Sequence, residues 1–272
     1  MNTSFADTWY IYIIVIAIVI VMMILCGIYI FRKKYHYIFN RYRSNPDGGI
    51  REEDIRVIFL GLLCAEENQC YCDTLSTGLK EKNLDAILSE HWGVIDRETA
   101  LSQLDWLQTT GDRATYSEIF PYLFIEEGEI EYVTKMEKEV AFMELGKINE
   151  KAERLALLIR CVKEMRAHIV FPFNYNNLKR GIVSWDAARL VVLARMSFDK
   201  GYLTKQQAWN FMYAAYDMVH LSYDNWREIA IGYVIGHFMD NRGDLESMDR
   251  ILDLAEDALT NRKSPWIDLK FK

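Results

Sequence analysis

An aspartate and an arginine three residues apart open an otherwise largely apolar run, Ser184–Leu203, "SWDAARLVVLARMSFDKGYL". On a helix Asp186 and Arg189 can pair at i, i+3, and Asp186 in the first turn meets the positive end of the helix dipole. Two chemistries suit such a pair. A desolvated carboxylate beside Trp185 is a tuned acid or base, with Arg189 as charge stabiliser, as a hydrolase would need. The same pair can instead tie helices together. No nucleophile or second carboxylate accompanies it in a motif, so the structural reading is favoured.

The other reactive side chains are scattered. His237 is a further catalytic candidate, but its helix face carries Trp226, Ile229, Ala230 and Tyr233, which reads as core. His220 falls with Trp209, Tyr213 and Tyr216 on an aromatic face. Cys64, Cys70, Cys72 and His91 resemble half of a zinc site, yet Cys-x-Cys is not the usual Cys-x-x-Cys knuckle and a second half is missing. No His-Glu-x-x-His run, phosphate-cradling glycine loop or Gly-x-Ser-x-Gly elbow occurs. No metal and no cofactor is therefore expected.

The elements that would position these groups begin with a membrane segment. Trp9–Phe31 is 23 residues without a charge, long enough to cross a bilayer, with Trp9, Tyr10, Tyr12 and Tyr29 suited to the two interfaces. The start is neutral to acidic and the exit is "RKK", which predicts a retained anchor rather than a cleaved signal. Arg32, Lys33, Lys34, Arg41 and Arg43 follow the run, so the positive-inside bias puts residues 1–8 outside and the rest in the cytoplasm. These five cations are expected to meet anionic lipid headgroups. The remaining chain is acidic against an overall net charge of −7, which disfavours nucleic acid. Five cysteines without framework spacing fit a reducing compartment.

Beyond the segment 32–50, which ends in the linker "SNPDGG", the 3.6-residue period dominates and no alternating strand stands out. Helices are predicted over Arg51–Glu66, Arg97–Thr109 with Asp96 as N-cap, Glu131–Ile169, Ser184–Asp199, Thr204–Leu221, Asp224–Met239 and Asp244–Thr260. Thr204 with Gln207 forms a capping box, and Pro172–Gly181 reads as a loop. The first of the last four is apolar on two sides and so should be central. Gly232-x-x-x-Gly236 reads as a close helix approach, since the apolar run around it is too short to span a membrane.

Five motifs in order carry a resemblance: "HWGVIDRETALSQLDWL", "SWDAARLVVLAR", "GYLTKQQAW", "YDNWREIAIGYVIG" and the terminal "SPW". Over most of residues 52–267 the chain resembles a bacterial family catalogued as domain of unknown function 1266. The resemblance implies Trp185, Asp186, Arg189, Gly201, Trp226 and Gly236 as signature positions and supplies no reaction.

The expected protein is all-α: a single transmembrane helix over 9–31 and one cytoplasmic multi-helix domain over 51–272. The expected setting is a bacterial inner membrane. The leading function is a tethered protein-interaction or binding module with a protein partner, an immunity or envelope role being one form of it. The alternative is a membrane-tethered hydrolase using Asp186 and Arg189.

Overall fold

A computed structural model describes residues 5–34, 41–48, 52–123, 150–167 and 175–272, with side chains only from Tyr12 to Gly27 in the first stretch. Two units are distinct, Met1–Arg41 and Tyr42–Lys272. In the first, α1 runs Phe5–Lys34, 30 residues, and every side chain described in it is exposed. Among the described residues no helix is long and apolar enough to cross a membrane. Trp9, Tyr10, Tyr29, Arg32, Lys33 and Lys34 have side chains outside the described residues.

The second unit holds α2 (Glu52–Leu60), α3 (Leu62–Glu67), α4 (Glu81–Ala86, continued by a π-turn through His91), α5 (Arg97–Thr109), α6 (Gly111–Ile119), α7 (Glu150–Ala167), α8 (Tyr175–Arg180), α9 (Val183–Asp199), α10 (Lys205–Ser222), α11 (Trp226–Asp240), α12 (Leu245–Thr260) and α13 (Pro265–Asp268). No strand occurs among the described residues. The unit begins at Tyr42, earlier than the expected 51, because the supposed linker is fastened down. The carbonyl of Arg43 accepts from the Cys72 N–H at 2.8 Å, and the Asn45 N–H donates to Asp73 at 2.9 Å.

Helix α9 is central, and every residue from Ser184 to Ser197 is buried. α2, α3, α5, α6, α10 and α11 all pack on it. Its two apolar strips were expected to be covered; its polar positions are covered as well. Arg195 is fully buried and threads the loop after α3, donating to the carbonyls of Tyr71 at 2.5 Å and Ser76 at 3.1 Å. Asp199, one turn on, accepts from the Thr77 N–H at 2.7 Å. A loop that winds around a buried guanidinium needs no secondary structure of its own, since its carbonyls are satisfied by the side chain.

The caps follow the sequence closely. Asp96 accepts from the Thr99 N–H in a capping box, and Thr204 and Gln207 form another. Asn225, rather than Asp224, caps α11, and Asp244 caps α12. Two expectations need correction. The helix Arg51–Glu66 is broken at Gly61, where an added Cβ would lie 2.9 Å from Val191, so the chain turns to let α9 pass. Pro172–Gly181 contains a helix, α8, whose Leu178 carbonyl is taken by Tyr116 at 2.7 Å. Of the helix Glu131–Ile169, the described part is Glu150–Ala167; the break at Gly146 lies outside the described residues.

Candidate functional site

Asp186 has no exposed surface, and each of its oxygens accepts two hydrogen bonds. Oδ1 takes the Asp112 N–H at 3.0 Å and Arg189 Nη2 at 2.7 Å. Oδ2 takes the Arg113 N–H and Arg113 Nη1, each at 3.0 Å. The carboxylate thus caps the start of α6, a different helix from its own, where free N–H groups and the dipole both favour an anion. Arg113 also donates to the carbonyls of Leu107 and Gln108 at the end of α5, at 2.7 Å each. One buried anion therefore holds the corner at which α5 ends and α6 begins.

Arg189 is the outer member of this network. Its Nη2 bridges Asp186 and Asp112, both at 2.7 Å, and Asp112 also accepts from the Trp185 indole at 3.1 Å. The guanidinium carbon stands 4.3 Å from the Trp185 ring centre, 5.7 Å from Trp92 and 5.9 Å from Trp106. Such contacts are worth on the order of 1–2 kcal/mol when the cation is desolvated. The Nε of Arg189 is buried and has no hydrogen-bond partner among the described residues.

Above Arg189 opens a cleft of about 480 Å³, within the range of small-ligand sites. Trp92, Trp106 and Trp185 line one part of it, and Glu67, Tyr233 and His237 another. Glu67 accepts from the Tyr233 hydroxyl at 2.5 Å and lies 2.7 Å from His237 Nε2. His237 packs edge-on against Trp185 at 5.7 Å, and its buried Nδ1 is unpartnered among the described residues. Burial pushes the Tyr233 hydroxyl well above its ordinary range, with Glu67 adding to the effect, so Tyr233 stays a donor.

The three catalytic candidates of the sequence therefore part company. Arg189 and His237 line the cleft; Asp186 is sealed beneath it. Among the signature positions, Trp185 walls the cleft, and Gly236 lets it sit there, since a Cβ on Gly236 would lie 2.4 Å from Trp185 Cβ. Gly201 ends α9 with φ +79°. Trp226 stacks on Trp266 at 4.9 Å, far along α11 from the cleft histidine, and fastens the C-terminal segment through the Leu269 carbonyl at 2.6 Å. Arg43, expected at the lipid surface, lies over the Tyr71 ring at 4.8 Å and donates to the Gln69 carbonyl. Arg41 is half-buried.

The three cysteines near Arg195 are buried thiols. Burial raises Cys64 above its ordinary range, with Glu67 adding to it, while Cys70 is pushed up to about 11 and Cys72 to about 12. No group of three or more His, Cys, Asp or Glu side chains among the described residues could hold a metal ion.

Sequence reasoning missed Glu67, Asp112, Arg113 and the roles of Trp92 and Trp106. Trp106 did carry a signal. It lies off the buried face of α5, which carries Ala100, Leu104 and Leu107, and a large indole on a solvent face asks for a reason.

No curated protein and no solved structure matches the chain. The model of the family described as protein of unknown function (DUF1266) matches residues 87–271. That span contains the three tryptophans, Arg189 and His237, whereas Glu67 lies before it. The chain belongs to the DUF1266 family.

Proposed function

We propose that this protein is a membrane-tethered binding module whose ligand seat is the cleft above Arg189. The observation that carries the reading is a buried arginine held open under three tryptophans. Asp186, Asp112 and Arg113 fix its position, while its Nε and the Nδ1 of His237 are left without partners at the same cleft.

The tether is supported by the uncharged run Trp9–Phe31 inside the 30-residue helix α1, which at 1.5 Å per residue is about 45 Å long. Its basic exit orients the binding unit towards the cytoplasm of a bacterial inner membrane. Arg32, Lys33 and Lys34 are the cations assigned to lipid headgroups in this reading, Arg43 being engaged with Tyr71 and Gln69. The hydrolase alternative based on Asp186 gains nothing from the site, because a carboxylate whose oxygens accept four hydrogen bonds without surface has no way to touch a substrate.

Two measurements test the proposal. A reporter active only in the cytoplasm, fused after Lys272, should be active, and one requiring export should be silent; the reverse overturns the topology. The tagged full chain, purified beside its Trp92→Ala/Trp106→Ala double variant, should retain a stoichiometric molecule, a protein or a small compound, that the variant loses. Equal retention by both overturns the cleft as the seat.

A further inference from the structure

We infer that the cleft takes an uncharged saccharide, resting on the reading of that cleft as the ligand seat. The inference proceeds by charge, then by surface. Arg189 and Arg113 are matched by Asp112 and Asp186, so these four groups sum to zero. The carboxylates that remain at the wall are Glu67 and Asp240. A phosphate or a polyanion would meet two acids and no uncompensated guanidinium, which disfavours it.

A cationic ligand is the usual guest of an aromatic cage. Here the cage already holds one: Arg189 occupies the ring faces at 4.3, 5.7 and 5.9 Å. A second cation would have to share those faces with a fixed positive charge. A wholly apolar ligand fails for another reason. Asn68 and Asn241 donate to the Cys64 and His237 carbonyls at 2.8 and 2.9 Å, but the Gln103 amide and the Asp240 carboxylate line the same cleft, and an apolar guest would strip them of water without replacing the hydrogen bonds.

The remaining chemistry is a molecule with apolar faces and a hydroxyl rim. The C–H faces of a sugar ring carry partial positive charge and suit the negative π-face of an indole. Trp106, 38% exposed, is an indole with surface left over beside the cleft. Around it stand planar side chains: the carboxylates Glu67 and Asp240, the amides Asn68, Gln103 and Asn241, and the guanidinium of Arg189. Planar groups that offer two acceptors, two donors, or one of each match neighbouring hydroxyls, each of which both donates and accepts. A volume of about 480 Å³ suits one or two sugar rings rather than a long polymer.

The test uses the full chain in lipid nanodiscs, because maltoside detergents carry sugar headgroups of their own. Glucose, galactose, N-acetylglucosamine, maltose and cellobiose are titrated into the tens of millimolar, with tryptophan fluorescence and calorimetry as readouts. At least one should bind saturably. Trp106→Ala should weaken that binding about tenfold, equivalent to about 1.4 kcal/mol, and Gln103→Ala should weaken it too, while the 87% exposed Leu221→Ala leaves it unchanged. Unfolding curves establish that each variant is folded. Absence of saturable binding by every sugar overturns the saccharide inference. Saturable binding of adenosine or tetramethylammonium that depends on Trp106, without any sugar binding, overturns it while leaving the cleft as a ligand seat. Retention of the co-purifying molecule by the double tryptophan variant defeats the seat itself, and that result is read independently of the sugars.

Discussion

Oδ2 of Asp186 accepts both the backbone N–H and the Nη1 of Arg113, a residue 73 positions earlier, at 3.0 Å each. A helix start is ordinarily capped by a side chain just before it. Here α6 opens with Gly111, has no side-chain cap of its own, and takes its cap from α9. The capped corner carries Trp106 one turn upstream, so the ion pair beneath the cleft also sets where the exposed indole stands.

Replacement of Asp186 by Asn should be the costliest change in the network. One oxygen becomes a donor facing N–H groups, Arg113 loses its carboxylate partner and Arg189 keeps only Asp112. A loss of about 3–5 kcal/mol is expected. Arg189→Met should cost less, because Asp186 retains Arg113. The double variant should cost less than the sum, since the groups touch. Urea unfolding of the two singles and the double measures this. Two singles as stable as the parent would reject a fastening role for the pair.

Gly111 has φ +58°, and a Cβ on it would sit 2.1 Å from Asp186 Oδ2. Gly111→Ala should therefore lose the roughly 1–2 kcal/mol that a left-handed conformation costs an L-residue, and more through displacement of the carboxylate. Gly111→Asn separates the two effects. Asparagine tolerates positive φ better than alanine does but brings the same Cβ. Both variants should be destabilised in chemical unfolding, and an Asn variant as stable as the parent would show that the contact is easily relieved.

Much of the fold was legible in the sequence because it depends on local chemistry. Asp96 and Thr204 cap the helices that their spacing announced, and the two apolar strips of α9 predicted a central helix. The pair Asp186–Arg189 was visible for the same reason, as both residues lie on one helix at i, i+3. What was not legible depends on residues brought together from afar. Arg113 and Asp112 reach α9 only because α6 turns back at Gly111. Glu67 meets His237 across 170 positions of chain. The burial of Arg195 was hidden because its partners are backbone carbonyls, and a carbonyl leaves no signature in the residue types of a loop.

The buried hydroxyl and thiols predict an alkaline limit to stability. Tyr223 donates to the Gly181 carbonyl at 2.8 Å, and burial pushes it up from 10.0 to about 12. Cys70 and Cys72 move from 9.0 to about 11 and about 12 for the same cause. These groups stay neutral in the fold at a pH where the unfolded chain ionises them. Their contribution is complete below pH 9 and falls as pH rises towards 11–12. Urea midpoints measured from pH 7 to 11 should hold steady and then decline. In the native state at neutral pH, Cys64, Cys70, Cys72 and Cys161, all buried, should resist a maleimide and react after unfolding.

Two glycines bring α11 against α9 and its surroundings, and they supply a ranked prediction. A Cβ on Gly236 would lie 2.4 Å from both Cβ and Cγ of Trp185. Cβ is fixed to the backbone, so no rotamer change relieves the contact, and the helices must part. A Cβ on Gly232 would lie 2.5 Å from the Ser184 and Tyr223 hydroxyl oxygens and 3.0 Å from the Gly181 carbonyl. The Ser184 hydroxyl can swing aside, at the loss of its hydrogen bond, while the Tyr223 oxygen, at the end of a buried ring, and the carbonyl yield less. Against both stands the gain of about 0.8–1 kcal/mol that alanine has over glycine inside a helix. Overpacking of a tight core costs about 1–3 kcal/mol, occasionally more, so the contact wins at both positions. Gly236→Ala should be the more destabilising, and it alone should also disturb the cleft, because the indole it displaces is the one stacked on Arg189. Unfolding midpoints should rank Gly236→Ala below Gly232→Ala below the parent, with a changed near-ultraviolet tryptophan dichroism in the first. Equal midpoints for the two variants would mean that Trp185 moves as freely as a hydroxyl, and that the crossing does not hold the cleft wall in place.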